Sequence, residues 1–106
     1  MRVYISGPIT NNPDYVKQFE EAENKIKSMG YNACNPVRYA NSLREKYGRE
    51  PTWDEYLKFD LELLADCDAI TMLPGWKDSK GAKLENEYAL THNKSVIELF
   101  LVKRKW

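Results

Sequence analysis

Residues 52–66 alternate apolar and polar positions at helical spacing, with one misfit. At about 100° per residue, Tyr56, Leu57, Phe59, Leu61, Leu63 and Leu64 fan across one broad side, while Asp54, Glu55, Lys58, Glu62 and Asp66 take the other. Asp60 falls near the middle of the apolar fan, between Tyr56 and Leu64. An ionised carboxylate among apolar groups is costly unless it is paired or hydrogen-bonded. Either the interior answers Asp60 or a pocket opens beside it. Thr52 and Glu55 have the spacing of a capping box that opens this helix.

The rest of the chain alternates short β-rich runs with helical periods. Val3-Tyr4-Ile5 predicts a first strand, stopped at Gly7-Pro8. Asn12-Pro13 predicts a helix start, with Asn as N-cap and Pro at the first helical position. Val16, Phe19, Ala22, Ile26 and Met29 then recur at helical spacing up to Gly30. Residues 31–34 predict a weak second strand, ended by Asn35-Pro36. Residues 69–73 predict a central third strand, ended by Pro74-Gly75-Trp76. A helix follows from Ser79-Lys80-Gly81 to about Asn93. Residues 95–101 predict a fourth strand. Between these elements, residues 37–51 form a polar excursion with a short helix expected at about 40–47. Its two readings are a functional lid and a solvated surface helix.

This alternation predicts one α/β domain over residues 1–106. It would be a small, doubly wound parallel sheet of flavodoxin- or Rossmann-like kind, with about four to five strands and helices on both faces. Ligands of such folds bind at the carboxyl ends of the strands, where strand order reverses. The loops there are 6–12, 35–51 and 74–81.

Composition narrows the function more than the fold. The chain of 106 residues is long enough for one compact domain and too short for two. Sixteen basic and sixteen acidic residues cancel, which argues against a dedicated nucleic-acid or anionic-membrane surface. The Lys103-Arg104-Lys105 run is too short to change that balance. No apolar stretch is long enough to span a bilayer. Cys34 and Cys67 form neither a disulfide framework nor a metal spacing, and are expected as small buried hydrophobes in a reducing cytoplasm. The carboxylates are too scattered to predict a metal site, and no cofactor motif is present.

Glu85 is the second acid of interest. It shares its helix side with Gly81, Ala82 and Ala89, a small-residue face turned toward packing, while Lys83 and Glu87 lie opposite. It also lies near a helix N-terminus, which favours an ionised carboxylate. Two inward acids on consecutive helices that flank one central strand suit glycosidic-bond chemistry. One carboxylate attacks or stabilises an oxocarbenium-like carbon, and the other handles the leaving-group proton. A structural pair of acids remains the alternative. The Ser6-Gly7-Pro8-Ile9 loop could turn backbone N–H groups to a ligand, although Pro8 removes one donor. Trp76 reads either as a stacking platform for a base or as a hydrophobic plug. Ser79 reads either as a helix cap or as an anion-facing hydroxyl. His92, the only histidine, has no partner in sequence and reads as a surface or C-cap residue.

Taken together, Tyr4-Ile5-Ser6-Gly7-Pro8-Ile9, Asp60-Leu61 ahead of Cys67-Asp68-Ala69-Ile70, and Ser79-Lys80-Gly81-Ala82-Lys83-Leu84-Glu85 with Tyr88-Ala89-Leu90 resemble the nucleoside 2-deoxyribosyltransferase superfamily. The nearest branch is its small deoxyribosyltransferase-like proteins, which are related to the 2′-deoxynucleoside 5′-phosphate N-hydrolases. The resemblance implies Glu85 as the nucleophile that attacks C1′ of deoxyribose, and Asp60 as the acid that works on the base or positions the sugar. It implies Tyr4 as a hydrogen-bond donor to the nucleophile, and Ser79 as a contact to a 5′-phosphate. It implies no cofactor, and a homodimer or higher homo-oligomer. Thr10 stands where the hydrolase branch carries a phosphate-binding arginine, and Arg38, Arg44 and Arg49 are the substitutes at hand. Glu87 stands where the transferase pattern has a glycine.

The expected substrate-binding set is Ser6, Gly7, Pro8, Ile9, Asn35, Gly75, Trp76, Ser79 and Gly81, around the catalytic Glu85, Asp60 and Tyr4. The expected ligand is a nucleoside or nucleotide. A non-catalytic nucleotide-binding module that uses the same pocket is the alternative. The enzyme reading makes one geometric demand: Asp60 and Glu85 must face one cleft at the strand ends.

Overall fold

The computed structural model describes residues 1–99. Among them, β1 (Arg2–Ser6), β2 (Asn32–Cys34), β3 (Ala69–Met72) and β4 (Ser95–Val96) form one parallel sheet in the order β2-β1-β3-β4. Tyr4 lies between Cys34 on one neighbouring strand and Ile70 on the other. Four helices connect the strands: α1 (Tyr15–Ser28), α2 (Ala40–Tyr47), α3 (Trp53–Ala65) and α4 (Lys80–Thr91). Strand order reverses between β1 and β3, so the switch point opens beyond Ser6 and Met72.

The two-residue period of a strand sorts the core into two layers. Val3 and Ile5 face α1 and pack with Phe19, Ala22, Ile26, Ala69 and Leu73. Tyr4 faces the other way, into a cluster with Cys34, Leu64, Cys67, Ile70 and Ala89. Leu64 comes from α3 and Ala89 from α4. Helices therefore cover both faces, as the alternation of elements predicts. Both cysteines are free and buried. Among the described residues, no helix is long and apolar enough to cross a membrane.

Several local expectations hold. The helix at 40–47 forms as α2, behind a short 3₁₀ turn (Pro36–Tyr39) that the Asn35 side chain caps at the Val37 N–H. The capping box also forms. The Thr52 N–H donates to Glu55 Oε1 at 2.9 Å, and the Glu55 N–H donates to Thr52 Oγ1 at 3.2 Å.

Three expectations need correction. α1 begins at Tyr15, beyond the Asn12-Pro13 start read from sequence. The Asn12 side-chain oxygen does accept from the Asp14 N–H at 3.4 Å, but it caps only a turn ahead of α1, while its amide donates to the Pro8 carbonyl at 2.8 Å and to Gln18 Oε1 at 2.9 Å and ties down the loop. β4 pairs with β3 only at Ser95 and Val96, with the Ile97 N–H donating to the Ile70 carbonyl at 2.9 Å as the last rung, although β3 itself runs on to Met72. Residues 100 and 101 of the expected strand, and the basic run at 103–105, lie outside the described residues. Finally, α3 buries only Leu64 completely, and the rest of its apolar fan is half-buried. That face is shared between the sheet, α4 and an open cleft.

Candidate active site

The cleft has a volume of about 730 Å³ and lies at the carboxyl end of β1. Its walls come from the loop after β1, the turn before α2, the cleft side of α3 and the start of α4. Asp60 and Glu85 both line it, so the geometric demand is met.

Glu85 is 6% exposed and both its oxygens are held. The Tyr4 hydroxyl donates to Oε2 at 2.8 Å, and Ser6 Oγ donates to Oε1 at 2.6 Å. The geometry follows from the strand period. Tyr4 and Ser6 are two residues apart on β1, so both side chains leave the same face of the sheet, toward α4. Burial pushes the Glu85 carboxyl up to about 7, against the hydrogen bonds from Ser6 and Tyr4, which favour its charged form. Tyr4 is wholly buried, and burial together with the charges of Glu85 and Asp60 holds its hydroxyl well above the ordinary range. Tyr4 therefore remains a proton donor to Glu85.

Asp60 differs from Glu85 in having no hydrogen-bond partner among the described residues. Burial first, then the neighbouring Glu85 and Cys34, push its carboxyl up to about 8. The site thus pairs an acid fixed by two hydroxyls with an unbonded acid that keeps its proton at neutral pH. No group of three or more His, Cys, Asp or Glu among the described residues could hold a metal ion.

The loop residues take different places. Gly7, Ile9, Ser79 and Gly81 line the cleft. A Cβ on Gly7 would lie 2.8 Å from Leu73 Cβ, so the close passage of this loop over the end of β3 requires glycine. Ser79 caps α4 by accepting from the Ala82 N–H at 3.3 Å. Ser6 is 1% exposed and reaches the site only through Glu85. Pro8, Asn35, Gly75 and Trp76 of the expected binding set stand outside the cleft lining. Asn35 is occupied with Glu23 and Val37. Gly75, at φ +83°, turns the chain so that Trp76 borders a separate hollow with Met72, Val96 and Ile97.

Sequence reading missed Trp53 and Tyr56, which line the cleft with Leu57 and Asp60. The signal was there: positions 53, 56, 57 and 60 form one stripe at helical spacing, but apolar residues on such a stripe look the same whether they face a core or a cleft. Among the three arginines considered, only Arg44 lines the cleft. Arg38 pairs with Glu23 at 2.7 Å, and Arg49 grips both oxygens of Glu55.

No curated protein matches the chain. A family model matches residues 1–98, and the chain belongs to that family, described as a domain of unknown function (DUF4406).

Proposed function

We propose that this protein cleaves or transfers across the N-glycosidic bond of a 2′-deoxynucleoside or its 5′-monophosphate. One observation carries the reading. A carboxylate fixed at both oxygens by Tyr4 and Ser6 shares a cleft with a carboxyl that keeps its proton to about pH 8. Such pairs, one poised as nucleophile and one as acid, are the recurring apparatus of glycosidic-bond chemistry. The sequence resemblance supports the same assignment.

In the first step a Glu85 oxygen gives an electron pair to C1′. The C1′–N bond breaks, its electron pair leaves on the base nitrogen, and the Asp60 proton neutralises the departing base. In the second step the Asp60 carboxylate takes a proton from water as the water oxygen attacks C1′. The C1′–O bond to Glu85 then breaks back to carboxylate. A second base in place of water makes the reaction a transfer. Tyr4 and Ser6 hold Glu85 in one rotamer throughout. Neither step calls for a metal or an organic cofactor. The balanced charge of the chain suits a small-molecule substrate, and its two free thiols suit a reducing cytoplasm. We place the catalyst in a homodimer or higher homo-oligomer.

The test is incubation with deoxynucleosides and their 5′-monophosphates, with assay of free base. Release by the wild type that disappears in Glu85→Ala supports the proposal. A nucleotide that binds tightly and is recovered intact makes the cleft a binding site without turnover. No release, or equal release by Glu85→Ala, sinks the catalytic reading.

A further inference from the structure

We infer that Tyr56 is the platform on which the planar base of the ligand lies, and that Glu50 and Arg44 hold its ring in place. The inference rests on the proposed glycosidic chemistry for the position of the base, but its test does not require turnover.

Asp60 and Tyr56 are one turn apart, about 6 Å along the axis, and both line the cleft. Helical side chains lean toward the N-terminus, so the Asp60 carboxyl extends over the turn that carries Tyr56 and Leu57. Any ring nitrogen within reach of the Asp60 proton therefore brings its ring against Tyr56. Trp53 stands a further turn out at the cleft mouth, with the Lys80 ammonium 4.8 Å from its ring centroid. That ring already has a cationic partner, whereas Tyr56 is in no aromatic pair or cation–π contact among the described residues.

Tyr56 is also restrained at its far end. Its hydroxyl donates to Glu50 Oε1 at 2.7 Å. Arg44 Nε donates to the other Glu50 oxygen at 2.6 Å, and Arg44 Nη1 donates to Asn41 Oδ1 at 2.9 Å. This chain of bonds runs from α2 across the connecting loop to α3. Tyr56, Glu50 and Arg44 all border the cleft. A tether of this kind removes rotamer freedom from the ring before a ligand arrives, which is the usual value of preorganisation. Aromatic stacking accepts any base, because every base has a π-face. Tyr56 therefore sets affinity for a flat ring in general and leaves the choice among bases to other groups.

The experiment measures binding of free nucleobases, with 2-deoxyribose 5-phosphate as a ring-free probe, by NMR titration of wild type, Tyr56→Leu, Tyr56→Phe and Glu50→Gln. Tyr56→Leu keeps apolar bulk on the half-buried turn, so the fold is retained. It is expected to weaken nucleobase binding by about tenfold and to leave the ring-free probe unaffected. Glu50→Gln and Tyr56→Phe keep the ring and loosen its tether, with an expected loss of about threefold. Base binding by wild type without turnover of deoxynucleosides supports the platform while removing the glycosidic reading. The inference is overturned by equal base affinity in Tyr56→Leu and wild type, by parallel loss of the ring-free probe, or by a wild type that binds no nucleobase at millimolar concentration.

Discussion

Glu23 and Glu85 are almost equally hidden from solvent, at 5% and 6% exposure, yet their surroundings drive them in opposite directions. Glu23, on α1, meets Arg38 at 2.7 Å, Lys27 at 3.2 Å and the Asn35 amide at 3.1 Å. Burial alone would raise its carboxyl, but the bonds from Asn35, Arg38 and Lys27 outweigh it and hold the group below the usual range. Its two cations are themselves well exposed, so Glu23 is covered at the surface by its own partners. Glu85 lies deep and meets only neutral hydroxyls, and burial wins. Covered acids become clamps when cations answer them and titrating groups when only hydroxyls do. The Glu23 clamp ties α1 to the turn that bears Pro36 and Val37, which line the cleft. One acid builds the wall and the other faces the cleft.

The sharpest way to break this contrast is to remove the Glu85 charge. Glu85→Gln keeps the shape and can still bond to Tyr4 and Ser6, but it lacks the nucleophile. Base release is expected to fall by at least about 10³-fold, with thermal stability unchanged or improved. A steady-state assay beside a melting curve reads both, and retained turnover would place the nucleophile elsewhere.

Asp60→Asn comes next. Loss of the general acid is expected to cost about 10²- to 10⁴-fold in turnover. In the wild type, Glu85 must be charged and Asp60 protonated, so activity should peak between about pH 7 and 8. The alkaline limb belongs to Asp60 and should vanish in this variant. Stability supplies an independent reading. Asp60 goes from an ordinary 3.8 to about 8 on folding, so the native state holds a proton that the unfolded chain gives up. Stability therefore falls as pH rises from about 4 to about 8. Asp60→Asn should be more stable than wild type by several kcal/mol at pH 8, at most about 5, and equal to it below pH 4. Denaturant titrations across that range test the sign.

Glu23→Gln should show the opposite slope. The native state favours the charged form of Glu23, so its stabilisation is present above the unfolded value and is lost in acid as pH falls through the lowered native value. The exposed partners limit the effect to about 1–2 kcal/mol at neutral pH. Turnover should change far less than in Glu85→Gln. A stability difference that grows toward acid pH would contradict the clamp.

The contrast between the two acids also marks how far the sequence was legible. Periodicity placed Asp60 on an inward face and Glu85 among small residues, and the turn signal at Gly7-Pro8 put the carboxyl end of the first strand near Ser6. It identified α2 and the Thr52–Glu55 cap, because local spacing and local bonds decide both. Asp60 was conspicuous because a charge interrupts an apolar stripe, whereas Tyr56 on that same stripe looked like core and Trp53 drew no reading at all. What covers a face depends on elements far along the chain, and no local pattern records it. Trp76, which reads two ways in the sequence, shows a related limit. The direction taken after Gly75 depends on a left-handed backbone turn, which sends the ring toward β4. Glu23 drew no notice because its partners Asn35 and Arg38 lie 12 and 15 residues away.

Ser6 gives the finest test, because it touches the electrostatics of Glu85 without touching a substrate. Its hydroxyl is one of two donors that oppose the effect of burial on the carboxylate. In Ser6→Ala, Glu85 loses a bond that favours its charged form, so its proton should be held to higher pH. A hydrogen bond to a charged group is worth about 1.5–3 kcal/mol, which moves the acid limb of the activity profile up by about one to two pH units. Activity at pH 7 should then drop several-fold and partly recover toward pH 8, where the shifted Glu85 ionises again. A purely structural role for Ser6 predicts a uniform loss with no displacement of the limb. Ser6→Thr retains the hydroxyl and should restore the wild-type profile wherever the added methyl fits, and carbon-detected NMR titration of the Glu85 carboxyl follows the same shift without any substrate present.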